Sequence, residues 1–299
     1  MKKITLDQNN FKHFFSPVGP LHSHHEEHVW PYDYVDRGSD TLLVTIGDSW
    51  TWGSGICDFN PDATNITAEQ NNFRLDHLYG NLISKERNWN WLNLGFYAMG
   101  NQWIANKVLE MIGMVQHLHF KKIIVFCVLT GTARHFNTFH DAHINNHTHF
   151  QNNPMIKIQE YENFLTSINR RVIEQIAHIT NSAEKIQLLV GTNGVDHCGF
   201  GSLRQEQIIP LPWYRLLTDT NLNGISVDID SIKYLPSIED YLKNDQQKFA
   251  FQKWMMEKID QAEKQTAIIK NMQDVSLDGF HPNDNGHRKW ANYILRKVL

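Results

Sequence analysis

The chain has 299 residues, of which 41% are hydrophobic and 20% are charged, and its formal net charge is −4. This composition is typical of a globular protein that is long enough to bury a full core. It lacks the basic excess that favours nucleic-acid binding. The longest uninterrupted apolar run, residues 123–129, is far too short to cross a bilayer. We therefore expect neither a nucleic-acid partner nor a membrane partner.

The start of the chain and the cysteines together suggest a cellular location. The sequence turns polar within residues 1–8, before the apolar core of a signal peptide could form. The cysteines, at positions 57, 127 and 198, are scattered and lack the spacing of metal ligands. We interpret them as reduced thiols, with Cys127 buried in the core. We therefore expect a cytoplasmic location, although a phage-encoded protein carried in a virion would have the same features.

The first 40 residues lack a strong hydrophobic period, and we interpret residues 1–40 as an N-terminal arm or cap. A group of histidines surrounds two glutamates in this segment: His22, His24, His25 and His28 with Glu26 and Glu27. Imidazole and carboxylate groups are ordinary metal ligands, but nothing in this spacing fixes their geometry. We interpret the group as part of a solvated arm, and we expect no metal and no cofactor.

From residue 41 onward, short apolar runs alternate with amphipathic segments. In chain order they predict a strand at 41–47, a helix at 71–87, a strand at 89–94, a helix at 101–119, a strand at 122–129, a polar loop at 131–154, a helix at 156–180, strands at 186–190 and 224–229, and helices at 238–272 and 284–298. Such alternation predicts an α/β fold with a parallel sheet and helices on both faces. With no internal repeat or linker, residues 41–299 are interpreted as one domain with loop insertions.

The first candidate motif is Gly-Asp-Ser-Trp-Thr-Trp-Gly, residues 47–53, directly after the first predicted strand. Gly, Asp and Ser are also common in turns and helix caps, so the tripeptide alone has a purely structural interpretation. Seated on a strand, however, Ser49 would lie at a strand-to-helix turn with its Oγ exposed. Its own N–H would then be placed to hold a developing oxyanion.

The second candidate motif is Asp-Gly-Phe-His-Pro-Asn, residues 278–283, which precedes the last predicted helix. Gly279 permits a tight turn, and Pro282 favours an extended backbone at His281. In that geometry His281 could take the proton of Ser49 as a general base, while Asp278 orients the imidazole. Because both motifs follow strands of one parallel sheet, we expect them to meet at its carboxyl edge.

Together these two motifs resemble the first and last blocks of the SGNH (GDSL-type) hydrolases, and the resemblance spans residues 42–299. It implies a three-layer α/β/α sandwich around a five-stranded parallel sheet, of the flavodoxin-like kind. It also implies Ser/His/Asp catalysis on acyl esters, thioesters or sugar O-acetyl groups. In this family the oxyanion hole combines the serine N–H, a glycine N–H after strand two and an asparagine side chain after strand three.

The glycine block has two candidates in residues 93–101, Asn-Leu-Gly-Phe-Tyr-Ala-Met-Gly-Asn. Gly100, at the start of a predicted helix, matches the oxyanion donor better than Gly95. Alternatively, both glycines only shape the turn.

The asparagine block departs from the family pattern. Residues 130–134 read Thr-Gly-Thr-Ala-Arg, so Ala133 stands where the family has asparagine. Thr132 or Arg134 could supply the missing donor, and Arg134 has the greater reach and a charge. A similar sequence, Gly-Thr-Asn-Gly at 191–194, follows the fourth strand and is therefore one strand late. We interpret Asn193 as part of a β-turn.

These features predict a serine ester hydrolase in which Ser49, His281 and Asp278 form the triad and Ser49, Gly100 and Arg134 form the oxyanion hole. The expected substrate is a small-molecule or carbohydrate ester, with a carbohydrate O-acetyl group favoured. Trp50 and Trp52 flank the serine, and they either touch the substrate or pack in the core. A further set of histidines would border the site: His135, His140, His143, His147 and His149. The alternatives are an O-acyltransferase with the same triad and a non-catalytic binding or structural protein on this scaffold.

Overall fold

The structure is a computed structural model. It describes residues 33–56, 68–95, 100–115, 119–130, 134–137, 142–145, 158–193, 203–218, 245–246, 253, 274–276 and 281–299.

A five-stranded sheet forms the centre of the described structure. Its strands are β1 (Asp33–Val35), β2 (Thr41–Gly47), β3 (Asn90–Gly95), β4 (Lys122–Leu129) and β7 (Ile186–Thr192), in the spatial order β1-β3-β2-β4-β7. The last four strands are parallel, while β1 pairs antiparallel with β3 at one edge. Two shorter strands, β5 (Arg134–Asn137) and β6 (Ala142–Asn145), form a separate antiparallel pair.

Seven helices are described beside the sheet. They are α1 (Ser49–Trp52), α2 (Ala68–His77), α3 (Tyr79–Arg87), α4 (Asn101–Val115), α5 (Ile158–Asn181), α6 (Trp213–Thr218) and α7 (Asp284–Lys297), and a short 3₁₀ helix spans Gln205–Gln207.

Successive side chains of each strand point to opposite faces, so one apolar strand feeds two cores. From β4, for example, Val125 and Cys127 enter the core beneath α4 and α5. Phe126 and Val128 enter the core formed with α2, α3, α6 and α7. This division produces three layers, and it explains why β4 reads as a continuous apolar run without alternation. The predicted α/β class and the burial of Cys127 are both confirmed.

Most predicted elements agree with the observed ones to within a few residues, with three differences. The sheet is mixed, because β1 pairs antiparallel with β3. Strand β1 was not predicted, since its three residues are too few to show a period. The helix predicted at 71–87 is two helices, since Leu78 between them has extended backbone angles, φ −63° and ψ 133°. The loop predicted at 131–154 contains β5 and β6, which have only four residues each and are too short to show a strand period. The strand predicted at 224–229 and nearly all of the helix predicted at 238–272 lie outside the described residues.

The end of the predicted N-terminal arm is attached to the sheet. Strand β1 lies within this segment, and Arg37 follows it closely. The Arg37 guanidinium donates to the side chains of Asn81 and Ser84 at 2.5 and 3.0 Å and to the carbonyl of Trp89 at 3.1 Å. Residues 1–32 lie outside the described part of the chain, and the division into an arm and a domain stays a prediction.

Candidate active site

Ser49 begins the single turn of α1, directly beyond the carboxyl end of β2. Asp48 caps this turn, because its Oδ1 accepts the Trp50 N–H at 3.1 Å. At the other end Gly53 adopts a left-handed conformation, φ 92°, and its N–H donates to the Ser49 carbonyl at 2.9 Å. A residue with a Cβ would be strained at that angle. We call residues 47–53 the serine turn.

His281 faces this turn from the opposite end of the chain. Its Nε2 lies 2.9 Å from the Ser49 Oγ, which is hydrogen-bonding distance, although the two residues are 232 positions apart. Ser49 is only 4% exposed, so this contact is sheltered from bulk water. A neutral imidazole at this distance can accept the hydroxyl proton. The structure thus brings together two of the three predicted triad residues, while Asp278 lies outside the described part of the chain.

The backbone around His281 is held by the segment 274–276. The Ser276 N–H donates to the His281 carbonyl at 2.8 Å, and Val275 and Pro282 form an antiparallel bridge. Just beyond, the Asn283 N–H donates to the carbonyl of Asp274 at 3.0 Å. These contacts fix the backbone from which the imidazole reaches Ser49.

The start of α7 adds a second layer of support. Asn283 is its N-cap, since the side-chain Oδ1 accepts the Gly286 N–H at 3.0 Å. Lys289, on the first turns of the helix, forms an ion pair with Asp274, whose side chain is nearly buried. His281 is therefore attached to a capped helix of 14 residues. That helix packs into the core through Trp290 and Ile294.

Gly55 permits the close approach of the two motifs. A Cβ at this position would lie 2.6 Å from the Pro282 carbonyl oxygen and 2.7 Å from the His281 Cβ, closer than side chains ever pack. Gly55 lies just outside the candidate motif at 47–53 and was not predicted as a functional residue. The available signal was the Gly-Ser-Gly cluster at 53–55, immediately after the first motif.

Asn193 was interpreted as part of a β-turn, and the structure gives its side chain a partner at the site. It directly follows β7, is buried, and donates its Nδ2–H to the Asp48 Oδ2 at 2.7 Å. The Asn193 amide therefore contacts the serine turn through its cap. The Gly-Thr-Asn-Gly sequence at the carboxyl end of a strand was the signal that could have identified it.

The neighbouring strand β4 is tied to α4 by a reciprocal pair of hydrogen bonds. The Thr130 N–H donates to the Asn101 Oδ1 at 2.9 Å, and the Asn101 Nδ2 donates to the Thr130 carbonyl at 3.0 Å. Gly100 directly precedes Asn101 and is buried. Its carbonyl accepts the Ile104 N–H at 3.1 Å. The predicted oxyanion donor is thus held at the same edge of the sheet as the serine turn.

Gly95 has a different environment. Its N–H donates to the Asn93 Oδ1 at 3.1 Å. A Cβ here would lie 2.6 Å from the Trp52 backbone nitrogen and 2.7 Å from the Thr51 carbonyl carbon. Glycine is required because α1 packs directly on the end of β3. Because the Gly95 N–H already has an acceptor in Asn93, Gly100 stays the predicted oxyanion donor.

A buried polar network holds the C-terminal end of the serine turn. Arg74 is fully buried, and its guanidinium donates to the Trp52 carbonyl at 2.6 Å and to Asp33 at 2.8 Å. The other Asp33 oxygen accepts from the Asn93 Nδ2 at 3.1 Å, and that amide also donates to the Thr51 carbonyl at 3.3 Å. A buried guanidinium requires such a charge partner and full hydrogen bonding.

The two tryptophans of the first motif have different surroundings. Trp50 is 2% exposed and packs edge-to-face on Trp213, with ring centroids 5.4 Å apart. This burial favours a packing role for Trp50. Trp52 is half-buried, and the Arg74 guanidinium lies 4.5 Å from its ring centroid. A role for Trp52 in substrate binding stays a prediction.

Burial keeps several titratable groups near the site in their neutral forms. Burial is the main cause of the raised pKa of Tyr79. Burial also raises the pKa of Cys127 to about 12. The pKa of His287 is lowered well below its usual value by burial and then by nearby positive groups, and that of His77 is lowered by burial. The His77 Nδ1–H donates to the Phe73 carbonyl at 2.7 Å, and the His287 Nδ1 accepts from the Tyr79 N–H at 3.4 Å.

The remaining predicted site features lie wholly or partly outside the described structure. Arg134 is the first residue of β5, but the position of its side chain is not described; Thr132 and Ala133 lie outside the described residues. So do the histidines at 22–28, 140, 147 and 149. Within the described ranges, no group of three or more His, Cys, Asp or Glu side chains could hold a metal ion, and no helix has the length and apolar character to cross a membrane.

No protein-family model matches the chain, and no curated protein matches it either. Among solved structures, it is similar to a member of the lipolytic protein G-D-S-L family from Veillonella parvula DSM 2008, with 12% identity, a TM-score of 0.36, and coverage of 86% of this chain and 97% of that chain. It is also similar to a putative lipolytic protein of the G-D-S-L family from Desulfitobacterium hafniense DCB-2, with 12% identity, a TM-score of 0.33, and coverage of 67% and 93%. Both descriptions name the family that the two motifs resemble, but values this low support no conclusion about activity.

Proposed function

We propose that this protein is a serine ester hydrolase in which Ser49 is the nucleophile and His281 is the general base. The observation that carries the proposal is the 2.9 Å contact between the Ser49 Oγ and the His281 Nε2. Two motifs from opposite ends of the chain meet there, on a strongly supported backbone and with little exposure to water. A turn and a cap that served only folding would not require this meeting.

In the proposed reaction, the Ser49 hydroxyl proton passes to the His281 Nε2 while Oγ attacks the acyl carbonyl carbon. The carbonyl oxygen becomes an oxyanion that accepts from the N–H groups of Ser49 and Gly100 and from Arg134. When the tetrahedral intermediate collapses, His281 protonates the departing alkoxide, and the acyl group stays on Ser49. Water then attacks this ester with His281 as base, which releases the carboxylate and restores the hydroxyl.

Asp278 completes the triad in this proposal. For the His281 Nε2 to accept a proton, the imidazole must carry its hydrogen on Nδ1, and a carboxylate acceptor there would fix that tautomer. Asp278 is the acidic residue of the same motif, three positions before His281. We propose an acyl ester as substrate, with a carbohydrate O-acetyl ester favoured, and no cofactor.

The test is hydrolysis of p-nitrophenyl esters from acetate to octanoate, together with labelling by a fluorophosphonate. We expect Ser49→Ala to abolish labelling, and we expect both Ser49→Ala and His281→Ala to reduce kcat by about 10³-fold or more. Ser182→Ala, which removes an exposed hydroxyl at the end of α5, should retain full activity. If Ser49→Ala keeps the wild-type rate, the proposal is wrong.

Two other outcomes would separate the alternatives. Labelling of Ser49 without hydrolysis, together with transfer of the acyl group to an added sugar hydroxyl, would identify an acyltransferase. A folded protein with neither labelling nor turnover would indicate a binding protein on this scaffold.

A further inference from the structure

The carboxylate of Asp48 is the cap on which the serine turn depends, and it is completely buried. One oxygen accepts the Trp50 N–H at 3.1 Å, and the other accepts the Asn193 Nδ2–H at 2.7 Å. A buried carboxylate requires donors on both oxygens, because each lost hydrogen bond to a charged group leaves a desolvated acceptor. The second donor comes from a distant part of the chain, since Asp48 and Asn193 are 145 positions apart.

Asn193 is itself held in place. Its N–H donates to the Leu129 carbonyl at 2.9 Å, and its Nδ2 lies 3.5 Å from the Thr130 Oγ1. Strand β4 lies between β2 and β7 in the sheet, so the side-chain amide reaches the cap across an intervening strand. The hydrogen bond therefore connects the carboxyl ends of β2 and β7 at the edge where the serine turn lies.

We infer that Asn193 is a positioning residue for the hydrolase reaction: its amide holds the Asp48 cap, and the capped turn holds the Ser49 Oγ at hydrogen-bonding distance from His281. This inference rests on the proposed function. In it Asn193 acts through Asp48 and does not touch the substrate. Loss of the amide should therefore lower kcat and leave KM nearly unchanged.

The chemistry of the pair explains why a neutral donor is needed. An aspartate at position 193 would place a second carboxyl against the Asp48 oxygen, and two carboxylates so close share one proton because both cannot easily ionise. While that proton is present, one carboxyl donates to the other and imitates the amide. Once it is lost, the two oxygens repel each other and the cap loses its donor.

Among the residues that the structure describes, two further titrating groups lie near this cap. Tyr79 of α3 and Cys127 of β4 lie close enough to interact electrostatically with each other, and Tyr79 does so with Asp48. Both keep their protons across the neutral range, because burial raises their pKa values. On the far side of Ser49, His281 must be neutral to act as a base. A loss of activity toward high pH that wild type lacks would therefore report the introduced carboxyl.

The experiment compares the pH profiles of kcat for wild type, Asn193→Asp and Asn193→Ala on p-nitrophenyl acetate. The matched control is Asn181→Asp, which makes the same change at the end of α5, where Asn181 accepts from Gln207. We expect Asn193→Asp to show a new descending limb, about tenfold per pH unit once the shared proton is lost. Asn193→Ala should lose about tenfold or more at every pH, and Asn181→Asp should follow wild type.

A second readout guards against simple misfolding. The rate of Ser49 labelling by a fluorophosphonate should show the same new limb in Asn193→Asp, while its circular dichroism stays constant across that pH range. The inference is overturned if Asn193→Asp follows the wild-type profile, if its decline accompanies unfolding, or if Asn193→Ala keeps the wild-type kcat. If wild type itself is neither labelled nor active, the proposed function fails first, and the inference falls with it.

Discussion

The two faces of the sheet are built from the same strands but have different contents. The face beneath α4 and α5 packs mainly apolar side chains, such as Ile104, Val108 and Met111, against the strands. The opposite face also buries polar groups, including Arg74, His77 and His287, within its aromatic core. The second face also anchors the two motifs of the candidate site. The serine turn is anchored through Trp50, and the motif that contains His281 is anchored through Trp290 and Ile294 of the following helix α7.

This difference shows how the molecule separates stability from chemistry. The apolar side chains of the first face carry no charge, so their packing does not depend on pH. The opposite face also contains buried hydrogen bonds, and these hold α1 and α7 in fixed positions. Changes on the first face should therefore alter stability alone, whereas changes on the second should alter stability, pH dependence or catalytic geometry.

The largest effect should come from Arg74. Replacing it with Met leaves Asp33 buried without its charge partner and the Trp52 carbonyl without its donor. Breaking a buried ion pair on one side typically costs about 3–5 kcal/mol, and we expect a loss of that size in urea unfolding. The control is Arg170→Ala, which removes an exposed pair with Glu174 and should cost less than about 0.5 kcal/mol. Equal losses in the two variants would contradict this account of the network.

On the apolar face, Met111→Ala should create a cavity beside β2 and β4. Met111 is fully buried in that core, and such truncations cost about 2–5 kcal/mol. Because α4 carries this side chain away from Ser49, the kcat of the folded protein should stay within about twofold of wild type. A large fall in kcat with little loss of stability would show that the two faces are not separated in this way.

Gly55→Ala should damage catalysis more than folding. The added Cβ would press on the Pro282 carbonyl and the His281 Cβ, so the imidazole must move away from Ser49. A displacement of about 1 Å can cost about 10²-fold in rate, and we expect kcat to fall by about that factor. Gly113→Ala in α4, where an added Cβ meets nothing within 4 Å, is the matched control and should not reduce kcat. Wild-type kcat in Gly55→Ala would contradict the predicted contact.

The smallest effect should be a pH dependence of stability from His287. Its folded pKa lies well below the unfolded value of about 6.5, so the unfolded chain binds more protons between those two values. Stability present above about pH 6.5 is therefore lost as the pH falls, by about 1.4 kcal/mol per pH unit for one such group. His287→Phe, which keeps a ring against Tyr79 and Trp213, should flatten this slope between pH 6.5 and 5.

Thermal or urea unfolding at a series of pH values measures that slope. His178→Gln, on the exposed surface of α5, controls for the loss of an imidazole. An unchanged slope in His287→Phe would show that this histidine does not remain neutral in the folded protein.

The sequence by itself determined the α/β class, because strands such as β2 and β4 are apolar on both sides and the helices between them have an apolar period. It also marked Ser49 and His281 as candidate site residues, since each lies in a short motif rich in turn-forming residues. Local patterns of this kind are visible in one segment at a time. They therefore predicted most of the elements, and the contact between Ser49 and His281 fits the expected meeting of the two motifs.

Only the tertiary structure decided how the serine turn is held. Asn193 reaches Asp48 from another strand, Arg74 reaches Trp52 and Asp33, and Gly55 matters only because His281 packs against it. These contacts depend on segments that meet only after the sheet has formed, so the sequence carried at most local signs of them, such as the glycines at 53 and 55 and the Gly-Thr-Asn-Gly sequence at 191–194. An asparagine that follows a strand can lie in a surface turn or act as a buried hydrogen-bond donor. The segments that the fold packs against it decide which role it has.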